Sequence, residues 1–140
     1  MALGKIHHID ITVDDLEKAE EYFIKKLGFK LLRYTEHGGK AIEISSPAGD
    51  FFLDLHQGSE KRYKALREKT TLGPCHFGHI AFKVDDINKE YEELKSKGVS
   101  FREDAPVFNS STGRTLAGAA DADGRYWIQL SAQGNQVKVA

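Results

Sequence analysis

One stretch of this chain is written twice, and that repetition restricts the fold more than any other feature. His8-Ile9-Asp10-Ile11-Thr12-Val13-Asp14-Asp15-Leu16 returns as His79-Ile80-Ala81-Phe82-Lys83-Val84-Asp85-Asp86-Ile87, 71 positions later in a chain of 140 residues. Each copy opens on a histidine, alternates, passes through Val-Asp-Asp and enters a charged helical pattern. Those patterns close on Lys26-Leu27-Gly28-Phe29 and Ser96-Lys97-Gly98-Val99. A period of half the chain implies one structural unit built twice. Neither half alone offers much core, so the expectation is a single domain, 1–140. Within it lie two modules, 5–57 and 76–131, a linker at 58–75 that carries a short helix, and a tail at 132–140.

The first module reads as strand, helix and three strands. Ile9, Ile11 and Val13 fall on one face of the opening strand, and His8, Asp10 and Thr12 on the other. Asp14 or Asp15 is placed to cap the next helix, whose Leu16, Ala19, Tyr22, Phe23 and Leu27 form an apolar stripe. Gly28 stands where a left-handed cap ends such a helix. Strands are expected over 29–35, 40–45 and 51–55, separated by turns at His37-Gly38-Gly39 and Pro47-Ala48-Gly49-Asp50. Residues 60–69 read as a surface helix in the joint, which Leu72-Gly73-Pro74 closes.

The second module repeats the plan. A strand is expected over 77–84, and a helix striped by Ile87, Tyr91 and Leu94 ends at Gly98. Short strands follow at Phe101, 105–108 and 116–120, with a loop over 109–113. Asp121-Ala122-Asp123-Gly124 signals a turn before a closing strand at 126–130.

A net charge of −1 gives no electrostatic basis for binding nucleic acid or an anionic membrane. No apolar run approaches a membrane-spanning length, and Met1-Ala2-Leu3-Gly4-Lys5 is not a signal peptide. Cys75 is the single cysteine, so no internal disulfide forms; a reducing cytoplasm is the expected location and a bland linker thiol the expected role.

The chemistry lies on the polar faces. In the first module's last strand Phe51, Leu53 and Leu55 alternate with Phe52, Asp54 and His56; in the second, Tyr126, Ile128 and Leu130 alternate with Trp127 and Gln129. If the aliphatic set packs on the helices, the opposite faces carry His8, Asp54, His79 and Gln129. Two imidazoles with oxygen donors suit a borderline or hard divalent metal: nickel, cobalt, zinc, manganese or iron. Structural histidines and a solvent-facing aspartate are the bland alternative, and the matched placement of the two histidines argues against it. His7 falls on the apolar face and reads as a core or edge residue, while His37 and His76 read as turn and joint residues. Trp127 either walls a substrate pocket or fills the sheet's concavity.

The pattern resembles the vicinal oxygen chelate superfamily, which includes glyoxalase I, methylmalonyl-CoA epimerase, extradiol dioxygenases and the fosfomycin and bleomycin resistance proteins. The resemblance covers about residues 5–131. It rests on His8 to Leu16, on Gly78-His79-Ile80-Ala81, and on Asp121-Ala122-Asp123-Gly124-Arg125-Tyr126-Trp127-Ile128-Gln129-Leu130. It implies an α+β fold of two βαβββ modules whose curved sheets line a cavity, and a homodimer whose site lies within one chain or across two. It implies metal ligands at His8, Asp54, His79 and Gln129. Gln129 replaces the glutamate of glyoxalase I, and Asp54 stands where a longer glutamate is usual. Thr12 stands where glyoxalase I uses an arginine for the glutathione carboxylate, which counts against glutathione as the substrate.

Proton transfer beside a carbonyl needs an electrostatic partner for the developing negative charge and a base. Glutamine ligates through its carbonyl oxygen but accepts no proton as a base. Asp54 is then the expected catalytic carboxylate, with His56 and Glu43 in reserve. The leading reading is a metal-dependent lyase or isomerase, similar to glyoxalase I, acting on a small substrate with vicinal oxygens. A non-catalytic antibiotic-binding protein of the bleomycin-resistance kind is the alternative, and the paired histidines count against it. An extradiol dioxygenase is a third reading, disfavoured by Gln129 where that chemistry has a carboxylate.

Overall fold

The computed structural model describes residues 5–36, 39–69 and 78–133. The readings placed on His37, on Leu72 to Phe77 (Cys75 and His76 among them) and on the tail beyond Gln133 lie outside the described residues. The chain divides into two compact units, Met1–His76 and Phe77–Ala140.

The first unit runs β1 (His8–Val13), α1 (Leu16–Lys25), β2 (Lys30–Thr35), β3 (Ala41–Ser45), β4 (Phe52–Gln57) and α2 (Glu60–Lys69). Its strands lie in the order β1-β4-β3-β2, with β1 parallel to β4 and the other pairs antiparallel. The second unit runs β5 (Ile80–Lys83), α3 (Ile87–Ser96), β6 (Val107–Asn109), β7 (Arg114–Ala119) and β8 (Ile128–Gln133). Its order, β5-β8-β7-β6 with β5 parallel to β8, is that of the first unit. The class is α+β, and the sequence repeat is a repeat of topology.

Matching local chemistry sets the matching elements. Asp15 and Asp86 cap α1 and α3, accepting from the backbone N–H of Lys18 and Lys89 at 3.1 Å each. Gly28 and Gly98 end the two helices at φ of 79° and 88°, which costs a residue with a Cβ. Strand alternation then separates the faces. In the first unit Ile42 opposes Leu55 and Ile44 opposes Leu53 across β3 and β4, and all four are buried with Val13, Leu16, Ala19 and Phe23. Each of the Ile, Leu, Val and Phe side chains among them contributes about 1.5–3 kcal/mol when fully buried. In the second unit Ile87 and Tyr91 of α3 pack with Ala117, Leu130 and Ala132, supported by Val84, Leu94 and Phe101. The Tyr91 hydroxyl reaches the Glu103 carbonyl at 2.7 Å, so the ring is buried without an unmet donor.

Three details of the second unit differ from the sequence reading. His79 precedes β5 rather than lying in it. Phe101 makes an isolated bridge to Ala119 instead of a strand. The closing strand starts at Ile128, two residues later than expected, and continues to Gln133. The delay has a local cause. Asp121 accepts from the N–H groups of Asp123 (2.8 Å) and Arg125 (2.9 Å), and from the Trp127 indole at 2.7 Å. Those bonds hold 121–127 as a loop and bury Trp127, which anchors this corner of the unit. No helix among the described residues is long and apolar enough to cross a membrane.

Candidate functional site

The polar face of the first sheet is built by register. β1 and β4 pair in parallel so that Asp10 lies opposite Asp54 and Thr12 opposite His56, while β3 brings Glu43 opposite Asp54 from the other side. Because strand side chains alternate with period two, Asp10 and Thr12 share a face with Asp54, His56 and Glu43. Leu53 and Leu55 point the other way, into the core.

On that face the His56 imidazole lies between two carboxylates. Its Nε2 is 2.9 Å from Asp10 Oδ2 and 3.1 Å from Asp54 Oδ2. His56 is 1% exposed and Asp54 9%, whereas the side chain of Asp10 is half-exposed. Asp54 Oδ1 is buried and has no hydrogen-bond partner among the described residues. These three side chains offer ligand atoms that all lie within 4.8 Å of one another, and they form the one such group of three or more among the described residues.

Two arginines flank the cluster. Arg62, from α2, donates through Nε to Thr12 Oγ1 at 2.9 Å and places Nη2 3.5 Å from Asp10 Oδ1. A guanidinium from α2 thus lies against Thr12. On the other side Arg33 of β2 grips Glu43 with two bonds, 2.7 and 3.1 Å. The Arg33 hydrogen bond holds the Glu43 carboxyl below the ordinary carboxylate range, against the opposing effect of burial. A carboxylate so engaged is a poor proton acceptor, which removes Glu43 as a reserve base.

The four residues expected as metal ligands divide between the units. In the first, Asp54 lies in the cluster. His8 lies one strand position-pair away, opposite Phe52, with its ring stacked on that phenyl at 5.0 Å and its Nδ1 2.8 Å from Nδ1 of His7. His7 is exposed, which fits the edge reading and not the core one, and its ring packs against Phe52 and His8. In the second unit His79 is exposed at the mouth of β5, and Gln129 of β8 lies opposite Ala81 and Gly118. A Cβ on Gly118 would meet the Glu103 carboxylate at 3.6 Å, so that carboxylate overlies the same strand face.

Asp10, His56 and Arg62 are the residues of the cluster outside the expected ligand set, His56 having been expected only as a reserve base. The signal for the first two was present, since alternation already put them on the faces of His8 and Asp54. The missing quantity was the β1–β4 register.

The comparisons with known proteins agree with this architecture. Residues 5–130 match the family model described as Glyoxalase/Bleomycin resistance protein/Dioxygenase superfamily. A lactoylglutathione lyase of Schizosaccharomyces pombe is 30% identical over 151 residues, spanning 95% of this chain and 49% of the relative. This chain thus covers about half the length of that protein. A probable lactoylglutathione lyase of Vibrio parahaemolyticus is 32% identical over 133 residues, 93% of this chain and 91% of the relative. Among solved structures, the antibiotic binding protein TnmS3 of Streptomyces sp. CB03234 superposes with a TM-score of 0.71 at 22% identity, covering 96% of this chain and 99% of that one. At that identity the likeness is one of fold.

Proposed function

This chain belongs to the Glyoxalase/Bleomycin resistance protein/Dioxygenase superfamily, and on that premise we propose that it is a divalent-metal-dependent lyase or isomerase. Its substrate class is a small molecule with oxygens on adjacent carbons. The observation that carries the reading is Asp54: a buried carboxylate on the polar sheet face whose Oδ1 has no hydrogen-bond partner among the described residues. A buried carboxylate without full partners is costly, so its unmet oxygen suits a cation. The proposed ligand set is His8, Asp54, His79 and Gln129, imidazoles and oxygens throughout, and this donor chemistry fits nickel, cobalt, zinc, manganese or iron(II).

When bound, the ion supplies electrostatic stabilisation to negative charge on adjacent substrate oxygens. The chain's own residues do the rest. Asp54 takes up the substrate proton, a role Glu43 is denied by Arg33 and Gln129 by its chemistry. Arg62, anchored on Thr12, presents positive charge at the edge of the face and orients an anionic substrate group. The relatives' names make hemithioacetals of small α-ketoaldehydes the first substrates to test, with thiols other than glutathione included because Thr12 replaces the carboxylate-binding arginine. A homodimer is the proposed assembly.

A second reading, ligand binding without chemistry, is favoured by one feature. An open groove of about 400 Å³ in the first unit is lined by Ile6, His7, Leu32, Phe51 and Phe52, with Lys5 and Asp50 at its polar points. The experiment that separates the two readings is substrate C–H exchange in deuterated water, followed by NMR with metal-loaded and metal-free protein. Metal-dependent exchange that Asp54→Asn abolishes is expected. Binding of the panel without exchange would contradict the lyase reading and support the second.

A further inference from the structure

We propose that Glu103 is a second acid–base residue of the proposed reaction, a carboxylate that moves the substrate's hydroxyl proton from one oxygen to its neighbour. The inference rests on the reading of Gln129 as a residue that faces the substrate. It leaves the proposed ligand set and the role of Asp54 as they stand.

Gln129 of β8 lies directly opposite Gly118 of β7. Residues so opposed put their Cβ positions on one face of the sheet, about 4.5–5.5 Å apart, and Gly118 contributes no side chain there. Glu103 occupies the place. Its two carboxylate oxygens lie 3.6 and 3.7 Å from where a Gly118 Cβ would stand. Ala117, Leu130 and Ala132 pack with α3 on the opposite face. Gln129 accepts no proton as a base, yet a carboxylate reaches its face from the segment before β6.

Three bonds fix that carboxylate. The Tyr91 hydroxyl donates to the Glu103 carbonyl at 2.7 Å, the Arg102 N–H to the Gly118 carbonyl at 2.8 Å, and the Gly118 N–H to Glu103 Oε2 at 2.8 Å. The last of these uses one oxygen and leaves Oε1 without a hydrogen bond among the described residues. Glu103 is half-buried, as is Gln129. A residue that served only to satisfy the Gly118 N–H would need no charge, because the amide oxygen of glutamine accepts the same bond. A carboxylate held in one place with one oxygen unengaged is suited to carry a proton.

The proposed reaction has two protons to move. Isomerising the hemithioacetal of an α-ketoaldehyde shifts one proton between carbons and one between oxygens. Asp54 takes the C–H proton from the carbon that bears hydroxyl and sulfur, and returns it to the adjacent carbon. The first oxygen becomes the carbonyl of a thioester and the second becomes a hydroxyl. Glu103 accepts the first hydroxyl's proton on Oε1 and gives it to the second oxygen. Both carboxylates end as they began, and substrate and product have the same composition.

The test uses the full chain loaded with Zn2+ or Ni2+, with the hemithioacetals of methylglyoxal and glutathione or N-acetylcysteine. For Glu103→Gln, thioester formation is expected to fall about 100-fold or more. Exchange of the C–H into recovered substrate in deuterated water, the Asp54 step, is expected to stay within a few-fold. Zn2+ affinity by calorimetry is expected to be unchanged, since Glu103 is outside the ligand set, and so is the melting temperature, since the bond to Gly118 is kept. Glu103→Ala loses that bond and melts earlier; added acetate is expected to restore its thioester formation but not its melting temperature. Full thioester formation by Glu103→Gln, an equal fall in exchange and product, or a loss of Zn2+ affinity would each overturn the proposal. Should Glu103→Gln melt early, Glu103→Ala with acetate decides, and a lack of rescue overturns the assignment. An unaltered chain that neither exchanges nor isomerises these substrates would overturn the lyase reading, and this role with it.

Discussion

Glu43 shows at the scale of one residue how the polar face is tuned. Its carboxyl is held low by the Arg33 hydrogen bond, so the pair stabilises the folded state above the carboxylate's ordinary value of about 4.3. That contribution fades as pH falls through the lower folded-state value. Glu43→Gln is expected to lower the melting temperature at pH 7 by a small amount, since Arg33 is mostly exposed and solvent screens the pair. The difference from the unaltered chain is expected to shrink on acidification below pH 4, and a gap that persists at pH 2 would contradict the assignment. Asp121 carries a larger share. Replacing it by alanine strands three donors, the N–H groups of Asp123 and Arg125 and the Trp127 indole. The indole is the buried donor of the three, and about 1–3 kcal/mol for its unmet N–H is the relevant scale. Denaturant melts followed by Trp127 fluorescence, the chain having one tryptophan, are expected to show lower stability and a red-shifted native spectrum. An unshifted spectrum would mean the ring is held by packing alone.

At the scale of the element, α2 is the segment whose position the site depends on, because it carries Arg62. It is tied to the end of β1 by the Tyr63 hydroxyl, which donates to the Asp14 carboxylate, while Gln57 at the end of β4 holds the same corner through the Asp14 carbonyl and the Leu16 N–H. Gly58 makes this approach close enough. A Cβ there would run into the Tyr63 hydroxyl and come 2.6 Å from the Val13 carbonyl, and the second of these is backbone. Gly58→Ala is therefore expected to cost about 1–3 kcal/mol as an overpacked contact and to loosen Arg62 from Thr12. Thermal melts and the accessibility of Arg62 to guanidine-directed labelling would both register it; unchanged values would show that α2 tolerates the shift.

The elements themselves were legible in the sequence to a large degree. The repeat predicted two identical topologies because capping aspartates, terminal glycines and period-two alternation are local signals, and local forces realise them. The helix at 60–69 was legible for the same reason. Register was not. Whether Asp54 meets Asp10 or His8 across β1 depends on backbone hydrogen bonding between strands whose partners are 44 residues apart in sequence, and alternation is the same for either pairing. Likewise His79 slipped outside β5, and Trp127 outside β8, because the Asp121 loop captures a backbone that alternation alone would have left extended.

At the scale of the whole chain, two of the sheets' edge strands, β2 and β6, carry apolar side chains in solvent: Leu32, Tyr34, Val107 and Phe108. Exposed apolar edges are association surfaces unless covered. Sedimentation at micromolar concentration is expected to give the mass of two chains, and a strictly monomeric protein would contradict the proposed homodimer. Replacing Gln129 by glutamate adds a carboxylate to the proposed ligand set, and tighter metal binding with faster substrate exchange is the expected result; unchanged affinity would remove Gln129 from that set. The central claim is that a divalent ion belongs to this chain. Elemental analysis of the purified, untagged protein after reconstitution tests it most directly. The expected result is close to one manganese, iron, cobalt, nickel or zinc per chain, retained through gel filtration and lost in Asp54→Ala. Metal-free protein after reconstitution, with its fold intact by circular dichroism, would contradict the claim.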